Sequence, residues 1–352
     1  MAANGGPCRS FAGPPGPRIC PVMQLDARHR RLRAAPPQPD GRGIVLSDRD
    51  YLIFEAINRH GPLPSTYLYE LTRHLPRTRH YQTFQHRLTK LYNGYCANYR
   101  SHFYVAGDAG TVLNPNHTCD AVAYLARPKQ QWAAFDAKYQ PLIYDLTPLS
   151  LAVLADRVIT AHPRTDPFLH RLMGACVGAS IALSARRTGM VYADQERLFT
   201  HPKCPPETKA APNPLALPIP TGTLVPDDLF ALQRDKPRFY AVEIDRRTES
   251  INSDTARTAY GRKVQGYLHV LRNGTYRKHW GIPNLTVLTV TTNRLHLRHM
   301  IDYCASLGAP DLAAHFLFRS VPCFGANWKV PAIMDFFDEP WTGADGRECR
   351  IG

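Results

Sequence analysis

The chain has 352 residues with a formal net charge of +14, and 44% of its residues are hydrophobic. That hydrophobic share excludes a wholly disordered chain, and the length is enough for two domains of ordinary size. We find no run of about 18 apolar residues that would span a bilayer, so the excess of positive charge favours nucleic acid over a membrane surface as the partner.

Residues 1–43 are rich in Gly, Pro and Arg and predict a disordered basic tail. We expect this tail to contact DNA phosphates without reading sequence. The alternative is a misassigned start, with Met23 as the true first residue.

The nine cysteines are scattered singly, without a CxxC pair, which argues against a zinc ribbon or a redox motif. Their odd number and the lack of a secretory signal predict reduced thiols in a cytoplasmic protein.

Residues 44–113 predict a winged helix-turn-helix domain, because three short helices are followed by a candidate hairpin. Ser47 and Asp50 have the spacing of a capping box at the start of the first helix, which ends at Gly61. The remaining predicted elements are a helix from Ser65, a helix over about Thr78–Asn93, and a hairpin of Tyr95–Arg100 with Ser101–Val105.

The third helix is the expected reader of the major groove of double-stranded DNA, because basic and amide side chains suit base edges and phosphates. The alternative is a solvated basic face, or a winged helix that binds protein. The candidate DNA-binding residues are Arg77, Arg79, His80, Gln82, Gln85, His86, Arg87, Lys90 and Arg100.

Residues 114–160 predict a poorly patterned connector, with candidate helices at Asp120–Leu125, Trp132–Ala137 and Pro148–Thr160. Apolar residues then recur at helical spacing from Asp166 to Arg187, and His170 near the start of that helix is more often a structural residue than a functional one.

Residues 161–330 predict an α/β sandwich around a small mixed sheet, and residues 331–352 a C-terminal tail. His201–Pro220 is expected to be a long loop without a pattern. The expected strands are Met190–Tyr192, Leu224–Gln233, Arg238–Asp245, Leu285–Thr291 and His315–Phe318, and the later helices are Thr255–Leu271 and Leu295–Leu307.

Acidic residues mark the two central strands of this sheet. Glu243 and Asp245 are two residues apart and therefore share a face. If Asp227 lies beside them on the neighbouring strand, three carboxylates converge, a set that suits Mg²⁺ or Mn²⁺. Lys263 on the next helix would then hold a water or a phosphate, as in metal-assisted phosphodiester cleavage. The alternative is a solvated rim whose acids form surface ion pairs with Arg246 and Arg247.

The sequence from roughly Ser47 to Arg298 resembles the replication-relaxation family, which includes the MOBC-class relaxases of mobilisable plasmids and integrative elements. The resemblance rests on the winged-helix segment, on His170-Arg171-Leu172, on Pro226-Asp227, on the run from Val242 to Glu249, and on Lys263 and Tyr267.

The resemblance implies a winged helix followed by a domain similar to the PD-(D/E)XK nucleases. Asp227 and Glu243 match the acids of that motif, and Lys263 matches a lysine moved to the following helix. Asp245 stands where the standard motif has its lysine, and Glu196 is the nearest match to a further acid. The implied metal ligands are Asp227, Glu243 and Asp245.

The activity implied is the Mg²⁺- or Mn²⁺-dependent nicking of one DNA strand at a transfer or replication origin, without a covalent tyrosine link. Other mobilisation proteins and a second copy of the chain are candidate partners. The sequence lacks the His-x-His pair of the tyrosine relaxases, and His296 and His299 are expected to line a helix surface.

Two other classes of function stay open. One is a non-catalytic DNA-binding replication or regulatory protein whose nuclease-like core is a scaffold. The other is a restriction or defence nuclease that cuts both strands.

Overall fold

The computed structural model of the protein describes residues 30–31, 39, 43–75, 80–98, 103–105, 111–113, 118–128, 130–131, 141–157, 167–246, 254–325 and 328–351. These residues form a mixed α/β fold. Most of the predicted N-terminal tail lies outside the described residues, although Arg30–Arg31 forms a short strand paired with Gln130–Gln131.

Helices and strands are numbered separately in chain order. The helices are α1 (Asp48–His60), α2 (Ser65–Thr72), α3 (Tyr81–Asn93), α4 (Pro148–Ala155), α5 (Phe168–Arg187), α6 (Gln195–Thr200), α7 (Pro206–Ala210), α8 (Asp254–Asn273), α9 (Thr275–Trp280), α10 (Arg294–Ser306) and α11 (Pro310–Ala313). The strands are β1 (Arg30–Arg31), β2 (Leu63–Pro64), β3 (Tyr95–Cys96), β4 (Phe103–Val105), β5 (Thr111–Leu113), β6 (Ala121–Val122), β7 (Leu125–Ala126), β8 (Gln130–Gln131), β9 (Ile143–Leu146), β10 (Val191–Ala193), β11 (Leu217–Ile219), β12 (Gly222–Leu224), β13 (Asp228–Gln233), β14 (Pro237–Asp245), β15 (Thr286–Thr291), β16 (Phe316–Ser320), β17 (Trp341–Gly343) and β18 (Glu348–Cys349).

The three N-terminal helices lie where the sequence predicts them. The capping box at the start of α1 is present, since the backbone N–H and the hydroxyl of Ser47 both donate to Asp50 Oδ2 at 2.7 Å. Helix α3 buries Phe84, Leu88 and Leu91, as its apolar spacing predicts. These helices share one core with α5.

The hairpin predicted after α3 is wrong in its pairing. Strand β3 pairs with β6, and β4 pairs with β5, both antiparallel. Gly94 permits the first pairing, because a Cβ there would lie 1.9 Å from the carbonyl oxygen of Val122. The structure also pairs Cys96 and Cys119 as a disulfide, which differs from the reduced thiols expected from the odd cysteine count and the lack of a secretory signal.

The predicted connector contains strands rather than the helix expected at Asp120–Leu125. β7 and β2 flank β9 in a small antiparallel sheet. Short strands of two to four residues carry too little pattern to be recognised locally. The predicted helix at Trp132–Ala137 lies outside the described residues. The one predicted at Pro148–Thr160 is observed over Pro148–Ala155 as α4.

A seven-stranded mixed sheet forms the second half of the fold, in the order β10-β13-β14-β15-β16-β17-β18. β14, β15 and β16 are parallel to one another, and the other pairs are antiparallel. The prediction of a C-terminal tail over residues 331–352 is wrong, because β17 and β18 complete the sheet and Trp341 is fully buried. The loop predicted at His201–Pro220 also contains α7 and β11.

The two faces of β14 pack against different helices. Tyr240, Val242 and Ile244 share a core with α5, which confirms the predicted apolar face. Phe239 and Ala241 on the opposite face pack with residues of α8 and α10. Helices therefore cover both faces of the sheet, and the alternation of β14 points Glu243 and Asp245 toward α8 and α10.

Helix α5 is long and apolar enough to cross a membrane by length and composition, although the sequence predicts no span. However, 67% of its most apolar window is buried in the fold. Gly174, on the side of this helix that faces the sheet, is placed so that an added Cβ would lie 3.6 Å from Ile244 Cγ1. We therefore describe it as a core helix.

Candidate active site

The structure brings Asp227 and Glu243 to the same place on neighbouring strands. Asp228 is registered with Val242 in the antiparallel pair β13–β14, so one further step sets Asp227 across from Glu243. The backbone N–H of Asp227 donates to the carbonyl of Val242 at 2.9 Å, which continues this pairing. The prediction that these two strands are neighbours is confirmed.

Asp227 is held on both of its carboxylate oxygens. Oδ2 accepts a hydrogen bond from the backbone N–H of Ile244 at 2.7 Å, and Oδ1 lies 3.1 Å from Nε2 of His170 on α5. Burial acts to raise the pKa of Asp227, but the His170 hydrogen bond and the charge of Lys263 outweigh it, so the pKa lies below the ordinary value. Asp227 is therefore ionised at neutral pH.

Glu243 is buried, with its side chain 7% exposed, and has one donor on each oxygen. Lys263 Nζ lies 2.5 Å from Oε2, and the Tyr267 hydroxyl donates to Oε1 at 2.5 Å. Burial raises the pKa of Glu243 to about 7, with Lys263 and Tyr267 opposing that rise and the charge of Asp227 adding to it. The two donors do not fully offset the effect of burial on this pKa. A further positive charge nearby would therefore stabilise the ionised carboxylate of Glu243.

Lys263 is the cation on which the three carboxylates of the site act. Burial acts to lower its pKa, but the carboxylates of Glu243, Asp227 and Asp245 raise it well above the ordinary value. The ammonium is therefore fully charged near neutral pH. Three acids around one ammonium leave an excess of negative charge at the site.

Asp245 is paired with a histidine that the sequence predicts on a helix surface. His296 Nε2 lies 2.9 Å from Asp245 Oδ2, and the His296 side chain is only 5% exposed. The expectation that His296 and His299 both line a helix surface is therefore wrong for His296, although His299 is exposed. Asn293 caps α10 through the N–H groups of Leu295 and His296, which points the first turn of the helix at the end of β14.

The structure supports two of the three expected metal ligands as a pair. Within the ranges the structure describes, no set of three or more His, Cys, Asp or Glu side chains is close enough to share one metal ion. Mg²⁺ is commonly bound by one or two carboxylates while it keeps several waters. Asp227 and Glu243 fit that requirement as a pair, and Asp245 lies next to them rather than in the same ligand group.

Glu196 lies apart from this group, on the first turn of α6. It lines a separate cavity of about 210 Å³ between α1 and the sheet. The other residues that line this cavity are Glu55, Asn58, Arg59, Tyr192, Asp194, Gln195 and Asp228.

Some candidate DNA-binding side chains are exposed, whereas Arg87 is engaged within the fold. Its guanidinium donates to both oxygens of the buried Asp50, at 2.9 and 2.6 Å. Arg77, Arg79 and Arg100 lie outside the described residues. The exposed candidates along α3 and at its start are His80, Gln82, Gln85, His86 and Lys90.

The sequence alone predicts neither a role for Tyr267 nor a contact between His296 and Asp245. Tyr267 follows Lys263 by four residues, so both lie on one side of α8. This spacing is enough to predict that the two side chains reach the same site. No spacing rule relates His296 to Asp245, because they meet through the fold 51 residues apart.

A family model described as replication-relaxation matches residues 118–285. The match includes β14, Asp227, Glu243, Asp245, Lys263 and Tyr267, and it begins later and ends earlier than the expected span from Ser47 to Arg298. No curated protein and no solved structure matched the chain. The family indicates a role in the replication or relaxation of a plasmid or another mobile element. Residues 118–285 therefore form the part of the chain that matches the replication-relaxation family.

Proposed function

We propose that the protein is a metal-dependent DNA nickase that acts at an origin of a plasmid or integrative element. The observation that carries this proposal is the pair formed by the half-buried Asp227, just before β13, and the buried Glu243 on the neighbouring β14, beside Lys263 and within the region of the family match. The fold it implies is a winged helix followed by a nuclease-like domain of the PD-(D/E)XK type.

Asp227 and Glu243 would hold Mg²⁺ or Mn²⁺ through their carboxylate oxygens, and the bound ion would activate water and stabilise the leaving oxygen. Asp227 is ionised at neutral pH, and Tyr267 orients Glu243 through its Oε1. Lys263 is fully charged and long enough to turn from Glu243 toward a scissile phosphate.

The exposed face of α3 would supply recognition of double-stranded DNA. His80, Gln82, Gln85, His86 and Lys90 are exposed, and this mixture of amide and basic side chains suits base edges and phosphates. Arg87 does not belong to this surface in our proposal, because Asp50 engages its guanidinium.

The test is the relaxation of a supercoiled plasmid that carries the origin region, with Mn²⁺ and with EDTA. We expect nicked circles with Mn²⁺ and none with EDTA, and no nicking by the Glu243→Gln and Asp227→Asn variants. The exposed Glu207→Gln variant is the matched control and should nick as the wild type does.

Two outcomes would replace the proposal. DNA binding in EDTA without any strand break, unchanged by Lys263→Ala, would indicate a non-catalytic replication or regulatory protein. Linear products instead of nicked circles would indicate a defence or restriction nuclease.

A further inference from the structure

We propose that His296 is a positioning residue, which fixes the Asp245 carboxylate beside Glu243 and Lys263 and thereby strengthens the hold of the site on a divalent cation. This inference rests on the proposed function. His296 lies beyond residue 285, where the family match ends, so the site draws on a helix outside the matched region.

The contact between His296 and Asp245 is geometrically well defined. Nε2 lies 2.9 Å from Oδ2, and the imidazole is 5% exposed while the carboxylate is 24% exposed. The ring is therefore buried where it contacts Asp245, whereas the carboxylate remains partly exposed to solvent. Asn293 fixes the first turn of α10 by capping it, so the direction of approach of His296 is set by the backbone.

Asp245 belongs to the same face of the sheet as Glu243. The two residues are separated by one alternation of β14, and both charges act on Lys263. Asp245 therefore adds a third negative charge next to Asp227 and Glu243, the two proposed ligands of the cation. In this position Asp245 would surround the ion without binding it directly. Carboxylates that surround a metal site are themselves held by hydrogen bonds, and the loss of such partners typically weakens metal affinity.

The neighbouring strand offers a second polar group at this end of the site. Thr291 is registered with Asp245 in the parallel pair β14–β15, so the two side chains leave the same face. Among the described residues, the buried Thr291 Oγ1 has no hydrogen-bond partner. A buried hydroxyl of this kind normally has water or a ligand as its hydrogen-bond partner. Thr291 therefore adds a polar group to the end of the site at which Asp245 lies.

The experiment measures Mn²⁺ affinity of the full chain by the electron paramagnetic resonance signal of free Mn²⁺. We expect His296→Ala to weaken the affinity by about 10- to 100-fold, the range found when outer-shell partners are removed. His296→Gln should recover most of it, because the glutamine amide can donate from nearly the same position as Nε2. The matched control is His299→Ala, exposed on the same helix, which should bind as the wild type does.

A double variant tests whether His296 acts through Asp245. If it does, His296→Ala should add no further loss to an Asp245→Asn protein. Additive losses, or wild-type affinity in His296→Ala, would overturn the inference while Asp227→Asn and Glu243→Gln still abolish binding. If the wild type binds no Mn²⁺, or if Asp227→Asn and Glu243→Gln bind as the wild type does, the proposed function fails and the inference falls with it.

Discussion

Two buried acids, Asp50 and Glu243, each have a basic partner, but their surroundings differ in one respect. Asp50 in the N-terminal helices accepts hydrogen bonds from the Ser47 backbone, the Ser47 hydroxyl and two nitrogens of Arg87, and these lower its pKa against burial. Glu243 in the sheet accepts from Lys263 and Tyr267, lies near a second acid, and has its pKa raised by burial to about 7.

This comparison separates a structural acid from a candidate functional one. A carboxylate such as Asp50, whose two oxygens both accept from one guanidinium, gains little from a further cation. A buried carboxylate that remains under-stabilised beside another carboxylate is a place where a proton or a metal ion gains binding energy. Substitutions at these acids and their partners test the difference, from the largest expected effect to the smallest.

Asp50→Ala should lower the free energy of unfolding by about 3–5 kcal/mol, because it leaves Arg87 without its buried partner. Urea denaturation measures this loss, with the exposed Glu207→Gln as control. Mn²⁺ affinity of the folded fraction should not change. A variant as stable as the wild type would show that Asp50 is not the structural half of the comparison.

Glu243 should destabilise the folded chain progressively as the pH rises from 4.5, the pKa of this group in the unfolded chain, to about 7, its pKa in the folded chain. Its folded pKa is the higher one, so the folded state holds the proton longer and loses stability on ionisation through this window. The unfolding free energy of Glu243→Gln minus that of the wild type should therefore grow with pH, by up to about 3 kcal/mol, and level off above pH 7. A difference independent of pH would contradict the raised pKa.

Tyr267→Phe should remove the donor to Oε1 of Glu243 and raise the pKa of that acid further. A hydrogen bond to a charged group is worth about 1.5–3 kcal/mol, which sets the size of the effect on stability at pH 8. Tyr303→Phe is a control on the neighbouring helix. An unchanged titration of Glu243, followed by carboxyl carbon shifts in NMR, would exclude an orienting role for Tyr267.

Lys90 and Arg87 extend the comparison to DNA binding. Lys90→Ala should weaken binding uniformly across sequences and reduce the slope of log affinity against log salt by about 1, as expected for one phosphate contact. Arg87→Gln should instead lower stability and leave the salt slope unchanged, because Asp50 engages the guanidinium. A reduced salt slope in Arg87→Gln would show that Arg87 contacts a DNA phosphate.

The sequence predicted the parts of this fold that depend on local pattern. Helices α1, α3 and α5 follow apolar spacing and caps, and the strands of Asp227 and Glu243 are adjacent because a short turn at Asp235–Pro237 joins β13 and β14. Adjacent strands with fixed alternation are enough to bring those two acids together.

The features that the sequence did not predict depend on contacts between distant segments. The partner of β3 is β6, the final strands of the sheet come from the expected C-terminal tail, and His296 reaches Asp245 across the fold. Arg87 looked like a DNA contact because nothing local distinguishes a solvated arginine from one that binds a buried acid 37 residues away. Side-chain type identified the candidate chemistry, whereas only the fold assigned each side chain its partner.

A crystal of the full chain soaked in Mn²⁺ gives the most direct view of the proposed site through anomalous scattering. We expect one peak between Asp227 and Glu243, about 2 Å from a carboxylate oxygen of each, with Lys263 turned away from Glu243. No peak at these acids, with Lys263 still bound to Glu243 Oε2, would contradict the proposal that they hold a divalent cation.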